Sequence, residues 1–357
     1  MPIVDLYGHD DLQERLSRAA DEGTLPASLL LHGPRGIGKQ RLALWLAQLL
    51  LCENKPRPCG ECQNCRYSRQ LTHPDLHWYF PRPRLKNSDP GLDDVREDYL
   101  DAIAERAASD GLYATPPGSE AIYVAAVRAI LREAAMAPAV ARRKVFLVGD
   151  AERMVAQEGA DQAANAFLKL LEEPDHNTSL ILTSSEPGAL LPTIRSRTVS
   201  VRVRPLDEMS MRAFLADPAV ARTLALSGSQ ASSAERIQSA SGAPGSLFRE
   251  EARARAVTAA KSLLEAATSR DPSIRHAAAL AAGGSGSRGA FSETLDSLML
   301  LLAERMRRAL RDNDQRAALG ATKATDAVGR ARIRAGGNVN PMLIASKLLR
   351  ELAGNLS

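Results

Sequence analysis

The sequence predicts an α/β protein: a parallel sheet covered by helices, then a small helical domain and a helical C-terminal domain. Three observations carry that prediction. Short apolar runs at 29–32, 144–148 and 180–182 are separated by helix-period segments, the pattern of strands buried on both faces. The first run feeds Gly33-Pro34-Arg35-Gly36-Ile37-Gly38-Lys39, a phosphate-loop spacing set between strand and helix. After Pro205 the strand signals stop, and Ala-, Leu- and Arg-rich sequence follows.

In chain order, Leu29–His32 is the first buried strand and Arg41–Leu51 an apolar-rich helix ending at Cys52. A Pro- and charge-rich stretch, about 81–118, reads as a surface insertion with a short helix near 93–108. Ala121–Ala135 is helical, and Lys144–Val148 is a strand bounded by Gly149-Asp150. Asp161–Glu173 places Ala164, Phe167, Leu168 and Leu171 at i, i+3, i+4 and i+7 of an amphipathic helix that Pro174 ends. Leu180–Leu182 is a third strand. Val199, Val201 and Val203 alternate with Ser200, Arg202 and Arg204 in a fourth, more exposed one. The expected domains are 1–205, 206–251 and 252–357. The second consists of short helices closing on Gly242-Ala243-Pro244-Gly245, and the third is a bundle with one loop at 283–287.

At 357 residues the chain exceeds one typical core, so two or three domains are expected. Apolar residues at 45% and charged residues at 25% are ordinary for a soluble globular protein, and no apolar run could span a membrane. Met1-Pro2-Ile3-Val4-Asp5 lacks a basic segment followed by an apolar one, so the expected location is cytoplasmic. A net charge of +4 permits nucleic acid as a partner without arguing for it.

All four cysteines, Cys52, Cys59, Cys62 and Cys65, fall in one short module at 52–65. Two C-x-x-C steps share Cys62, and with the thiol upstream they have the spacing of tetrahedral four-sulfur coordination. A structural zinc is the expectation and four unconnected thiols the alternative. A closed four-thiolate site has no open coordination position and would not be catalytic.

In the glycine loop, Gly33, Gly36 and Gly38 would let backbone N–H groups close around phosphate oxygens, and Lys39 would reach the terminal phosphates. The next residue is Gln40, where a Ser or Thr hydroxyl would hold Mg²⁺. The loop is therefore built for a nucleotide but short of one metal ligand.

The order of phosphate loop, four-cysteine module, Asn165-Ala166-Phe167-Leu168-Lys169-Leu170-Leu171-Glu172-Glu173-Pro174 and Thr193-Ile194-Arg195-Ser196-Arg197 resembles bacterial clamp-loader subunits of the AAA+ superfamily. Within them it is most similar to the delta-prime type of DNA polymerase III. The likeness is strong over roughly residues 1–250. It continues weakly to Asn338-Val339-Asn340-Pro341 before a terminal helix, which looks like the family's collar domain.

The resemblance implies roles for particular residues. Arg197, in Ser196-Arg197-Thr198, occupies the place of an arginine that reaches into a neighbouring subunit's ATP site, with Thr198 where the family has Cys. A guanidinium suits that role because it is permanently charged and can fork onto two phosphate oxygens. Arg195 would help position the segment. Gly149 stands where the metal-binding acid of active members belongs, beside Asp150, while Glu152 is expected on a surface helix. Gly245 stands where a phosphate-sensing arginine belongs, and Arg249, one helical turn on, is not expected to replace it. Ser184 and Ser185 lie at the family's other sensor, a place where hydroxyls also serve as ordinary strand caps.

Gln40, Gly149 and Gly245 together imply a subunit that does not hydrolyse ATP, although the surviving glycines and Lys39 leave weak nucleotide binding open. The expected function is a delta-prime-like part of a hetero-oligomeric clamp loader, supplying Arg197 in trans. Its partners would be motor (gamma/tau) and delta subunits, a sliding clamp and primed DNA held without sequence preference. One alternative is an ATP-hydrolysing gamma/tau-like motor. A zinc-dependent DNA-binding regulator fits less well, because no His-bearing reading module follows Cys65 and the basic residues do not gather around the cysteines.

Overall fold

The computed structural model describes residues 3–85, 90–113, 121–154, 167–172, 174–226, 231–269, 271–283, 287–335 and 339–356. These fall into two compact units, one holding the described residues up to Phe248 and the other those from Arg249 onward.

The first unit is built on a parallel sheet of β1 (Ser28–His32), β2 (Leu76–Tyr79), β3 (Lys144–Val148), β4 (Thr178–Ser184) and β5 (Val199–Arg202), in the order β2-β3-β4-β1-β5. Leu30 of β1 pairs with Leu182 of β4 on one side and with Ser200 of β5 on the other. Every residue of β3 and β4 is buried, as strands covered on both faces require. Because all pairings are parallel, the loop after β1, the turn after β3 and the end of β4 emerge at one edge, where such sheets build their sites.

Around the sheet lie α1 (Asp10–Asp21), α2 (Lys39–Leu51), α3 (Gln63–Arg69), α4 (Leu92–Ala108), α5 (Val124–Ala134), a helical segment at 167–172 (α6) and α7 (Pro192–Ser196). Lys144 at the start of β3 caps the end of α5, its ammonium donating to the carbonyls of Glu133, Ala134 and Met136. The sheet face packs Leu30, Leu46, Ile130, Phe146 and Phe167 into one core.

Two expectations are corrected here. The sheet has a fifth strand, β2, absent from the sequence reading, and Trp78 and Tyr79 of it are buried. The stretch at 81–118 is not a surface insertion throughout. Its helix α4 is 17 residues long and buries Val95, Tyr99 and Ala102, and the Tyr99 hydroxyl donates to the Phe80 carbonyl at 2.7 Å. Most of the amphipathic helix expected at 161–173 lies outside the described residues, with Asn165, Ala166 and Glu173 among those omitted.

The remainder of the first unit is small and helical: α8 (Glu208–Ala216), α9 (Pro218–Leu226), α10 (Ser233–Ala240) and, as far as Phe248, the tight turn Pro244–Arg249. Asp207 caps α8, and Ser232 with Glu235 forms a capping box on α10. Met211, Phe214, Val220 and Leu224 form its own apolar cluster.

The second unit is a bundle of α11 (Glu250–Thr268), α12 (Pro272–Ala282), α13 (Ser287–Arg311), α14 (Gln315–Ala335) and α15 (Pro341–Leu356). Its core centres on Leu295, Leu298, Leu302, Val328, Leu348 and Leu352. The bundle is broken in more places than the single loop expected. Asp271 caps α12, α14 restarts after Arg311, and the Asn340 side chain accepts from the Met342 N–H ahead of α15. Among the described residues, no helix is long and apolar enough to cross a membrane.

Candidate functional site

The chain leaves β1 at His32 and turns through the glycine loop into α2, whose first residue is Lys39. Gly36 and Gly38 hold φ of +78° and +92°, a region side chains rarely adopt, so glycine at these positions is set by backbone geometry. Lys39 does not point outward. It is 6% exposed, and its ammonium donates to the Gly33 carbonyl at 2.9 Å, the Pro34 carbonyl at 2.8 Å and the Ser185 hydroxyl at 2.8 Å. An ammonium has three protons, and these three bonds use them all. Burial lowers its pKa, opposed by the charges of Asp150 and Glu152. His9 closes the loop from the N-terminal side, with Nε2 3.1 Å from the Ile37 carbonyl. A carbonyl only accepts, so this nitrogen carries the proton.

Gln40 fills the neighbouring space. Its Nε2 donates to Asp150 Oδ2 at 3.1 Å, and its Oε1 accepts from the Tyr113 hydroxyl at 3.2 Å. A Cβ built on Gly149 would lie 2.7 Å from Gln40 Oε1 and 2.8 Å from Nε2. Gly149 is thus the room the glutamine needs. Tyr113 comes from the stretch read as a surface insertion, so sequence reasoning missed it.

Glu152 is a second correction. It is not on a surface helix but in a single tight turn after β3, 8% exposed, with Oε1 accepting from the Ser185 N–H at 3.1 Å. Burial first, and then the charge of Asp150, raises its pKa. Ser185, expected at a sensor position, joins Lys39 to Glu152 instead.

Gly245 meets the loop directly. Its N–H donates to the Gly36 carbonyl at 2.9 Å, and a Cβ there would come within 3.0 Å of Gly36 Cα. Any Cβ at 245 would press on the Gly36 backbone, so a side chain there requires the loop to give by a few tenths of an ångström. Arg249 belongs to the second unit, where it pairs with Glu293.

Arg197 follows the short helix α7 and precedes β5. Its guanidinium is one third exposed, paired with Glu172 of α6 and donating to the Thr193 carbonyl at 3.1 Å. Ser196 Oγ lies 3.5 Å from Arg197 Nη1, while Ser196 itself donates to the Thr193 carbonyl at 3.0 Å. Since Val199 pairs with Leu29 and Arg202 with His32, Arg197 sits at the N-terminal edge of the sheet, whereas the glycine loop leaves its C-terminal edge. From Leu29, the partner of Val199, to Gly33 is four residue steps of strand, roughly 13 Å, and Arg197 lies a further two residues before Val199. Arg197 is therefore not part of this chain's own loop.

The four cysteines converge. Their sulfurs all lie within 4.8 Å of one another, with Cys52–Cys62 and Cys59–Cys65 at 3.9 Å. Sulfurs at the corners of a zinc tetrahedron with Zn–S bonds near 2.3 Å are separated by about 3.8 Å, so the donor set fits that ion. Backbone N–H groups point at three of the sulfurs: Cys59 N at Cys52, Cys62 N at Cys59 and Cys65 N at Cys62, at 3.3–3.4 Å. The N–H groups of Cys62 and Glu61 hold the Cys59 thiol down to about 6, while burial pushes Cys65 up. The module is tied to the α/β core through Asn64, which donates to the Leu51 carbonyl and lies 3.3 Å from His73 Nε2.

A family model described as DNA polymerase III, delta subunit, matches residues 8–207. The DNA polymerase III subunit delta' of Pseudomonas aeruginosa is 34% identical over 246 residues, 66% of this chain and 61% of its own length. The DNA polymerase III subunit gamma/tau of Mycobacterium tuberculosis is 33% identical over 216 residues, 60% of this chain and 30% of its own. This chain thus spans less than two thirds of either relative. A solved DNA polymerase III gamma subunit-related protein of Thermotoga maritima is 17% identical, with a TM-score of 0.42 over 96% of this chain and 99% of that one.

Proposed function

The chain belongs to the DNA polymerase III delta-subunit family, and from that premise we propose that it is the delta-prime-like, non-hydrolysing subunit of a bacterial clamp loader. In this reading the chain turns over no ATP of its own. It lends Arg197 to the ATP site of an adjacent motor subunit, where a fixed guanidinium stabilises charge developing on the transferred phosphoryl group. The helical second unit joins the collar of a hetero-oligomeric ring with gamma/tau and delta subunits. The ring places a sliding clamp on primed DNA in the cytoplasm, with DNA held through its phosphates rather than its sequence. Cys52, Cys59, Cys62 and Cys65 would hold a structural zinc, whose contribution is to fix the fold of the module.

The observation that carries this reading is the separation of Arg197 from the loop. An arginine at the opposite edge of the sheet, partly exposed and paired with Glu172, is out of reach of this chain's own loop, which supports a role at another molecule's phosphates. Support for the absence of hydrolysis comes from Gln40, which stands in the metal-binding position, hydrogen-bonded to Asp150 and Tyr113.

The comparable likeness to gamma/tau proteins favours one second reading, a motor subunit with a diverged site. Mg²⁺-dependent ATP turnover by the isolated chain separates the two, since the delta-prime reading expects none above background. Co-purification with the motor and delta subunits tests the assembly itself. A chain that stays monomeric beside both partners overturns the proposal.

A further inference from the structure

Glu152 has no part in the chemistry described so far, yet its burial demands an explanation. An enclosed carboxylate is costly unless its charge is matched nearby. Oε1 accepts from the Ser185 N–H, and Oε2 is enclosed without a hydrogen bond among the described residues. The nearby cation is Lys39, joined to Glu152 through Ser185: its ammonium donates to the Ser185 hydroxyl, and the charges of Asp150 and Glu152 act on it. Ser185 is therefore a bridge, its N–H held by Glu152 and its Oγ by Lys39. The other two Lys39 protons are spent on the carbonyls of Gly33 and Pro34, inside the loop that would otherwise cradle an anion. The turn carrying Gly245 lies against the same loop at Gly36.

We propose that Glu152 and Ser185 form an internal ligand for the phosphate loop, supplying the negative charge and hydrogen bonds that a phosphate would supply and keeping Lys39 turned inward. The site beneath is a latent anion site for a di- or triphosphate group, closed by the chain itself. The inference rests on the loop being idle in the proposed function and is independent of the role given to Arg197. An incoming polyphosphate must displace Lys39 from Ser185 and approach a buried carboxylate of like sign. Removing that charge, or the hydroxyl that holds Lys39, frees the ammonium for the anion.

The test is calorimetric titration of the full chain with inorganic pyrophosphate, without metal. It compares wild type, Glu152→Gln, Ser185→Ala and each variant combined with Lys39→Met. Glu152→Gln keeps shape and an acceptor for Ser185 while removing the charge, and is expected to bind pyrophosphate about tenfold tighter or more. Ser185→Ala is expected to gain less, and Lys39→Met to abolish both gains. Should Glu152→Gln fail to fold, the Lys39-dependent gain in Ser185→Ala decides the matter. Wild type binding as tightly as the variants, no gain in either, or a gain that survives Lys39→Met overturns the proposal. An assembly whose ATPase ignores Arg197 would sink the proposed function and leave this titration unaffected.

Discussion

The Gln40 amide occupies the space that any side chain at position 149 would need, with its Oε1 2.7 Å from where a Cβ on Gly149 would stand. Gln40 and Gly149 are therefore one packing arrangement: the amide fills the space beside a residue with no side chain, and Asp150 and Tyr113 satisfy it.

Placing an acid at 149 alone should therefore damage the fold. Gly149→Asp is expected to destabilise the first unit by about 1–3 kcal/mol through overpacking. Adding Gln40→Ser should recover much of the loss, because the smaller side chain vacates the contested space. Thermal melts of the two single variants and the double variant measure the coupling, which should exceed about 0.5 kcal/mol in the favourable direction. Additive losses would mean that the two positions do not compete.

At Gly245 the expectation is local. Gly245→Arg should break the hydrogen bond to the Gly36 carbonyl and lift the Pro244–Arg249 turn off the loop. Hydrogen exchange at the amide of residue 245 should then accelerate, with the α/β core unaffected. Unchanged protection there would show that the turn tolerates a side chain after all.

Metal analysis of the purified chain is expected to find about one zinc per molecule, lost on Cys65→Ser. Because ligand binding energy in such modules is also folding energy, chelation should lower the melting temperature. A chain with no bound metal and a melt indifferent to chelators would leave the four thiols as a chance cluster.

Asp75 gives a pH signature. Burial pushes its carboxyl up, but the N–H groups of Ala139, Ala141 and Val140 prevail and hold it below the ordinary aspartate value of 3.8. A depressed folded value means the stabilisation is complete above the unfolded value and drains away as pH falls through the folded one. Asp75→Asn should therefore cost about 1–3 kcal/mol near neutrality, and the gap to wild type should narrow below pH 3.8. A gap that is constant with pH would assign the effect to shape rather than charge.

The sequence displayed the strands that carry a run of apolar residues, and β5 from its alternating valines. Lys144–Val148 appears within its observed bounds, and β1 and β4 are recognisable from their leucines. Leu76–Tyr79 escaped because it is four residues long, carries His77, and adjoins a Pro-rich stretch whose composition outweighs it locally. The helix at 93–108 was legible and matches α4, but the charges around Val95, Tyr99 and Ala102 masked the fact that it buries a face. Glu152 was misplaced for another reason: burial of a charge depends on what folds over it, and Ser185 is 33 residues away. That Gly149 makes room for Gln40, whose amide bonds Asp150, 110 residues along the chain, exists only in three dimensions. The convergence of the four cysteines was legible, since they are local in sequence and their spacing fixes their reach.

The central claim is that Arg197 works in another subunit's site, and ATP hydrolysis by the reconstituted clamp loader tests it most directly. With Arg197→Ala in an assembly of normal composition, hydrolysis at the site it faces should slow by about 10³-fold or more, the scale of such arginines elsewhere. Arg197→Lys should recover little, because an ammonium cannot fork onto two phosphate oxygens. An intact assembly that hydrolyses ATP at the wild-type rate without Arg197 would contradict the account.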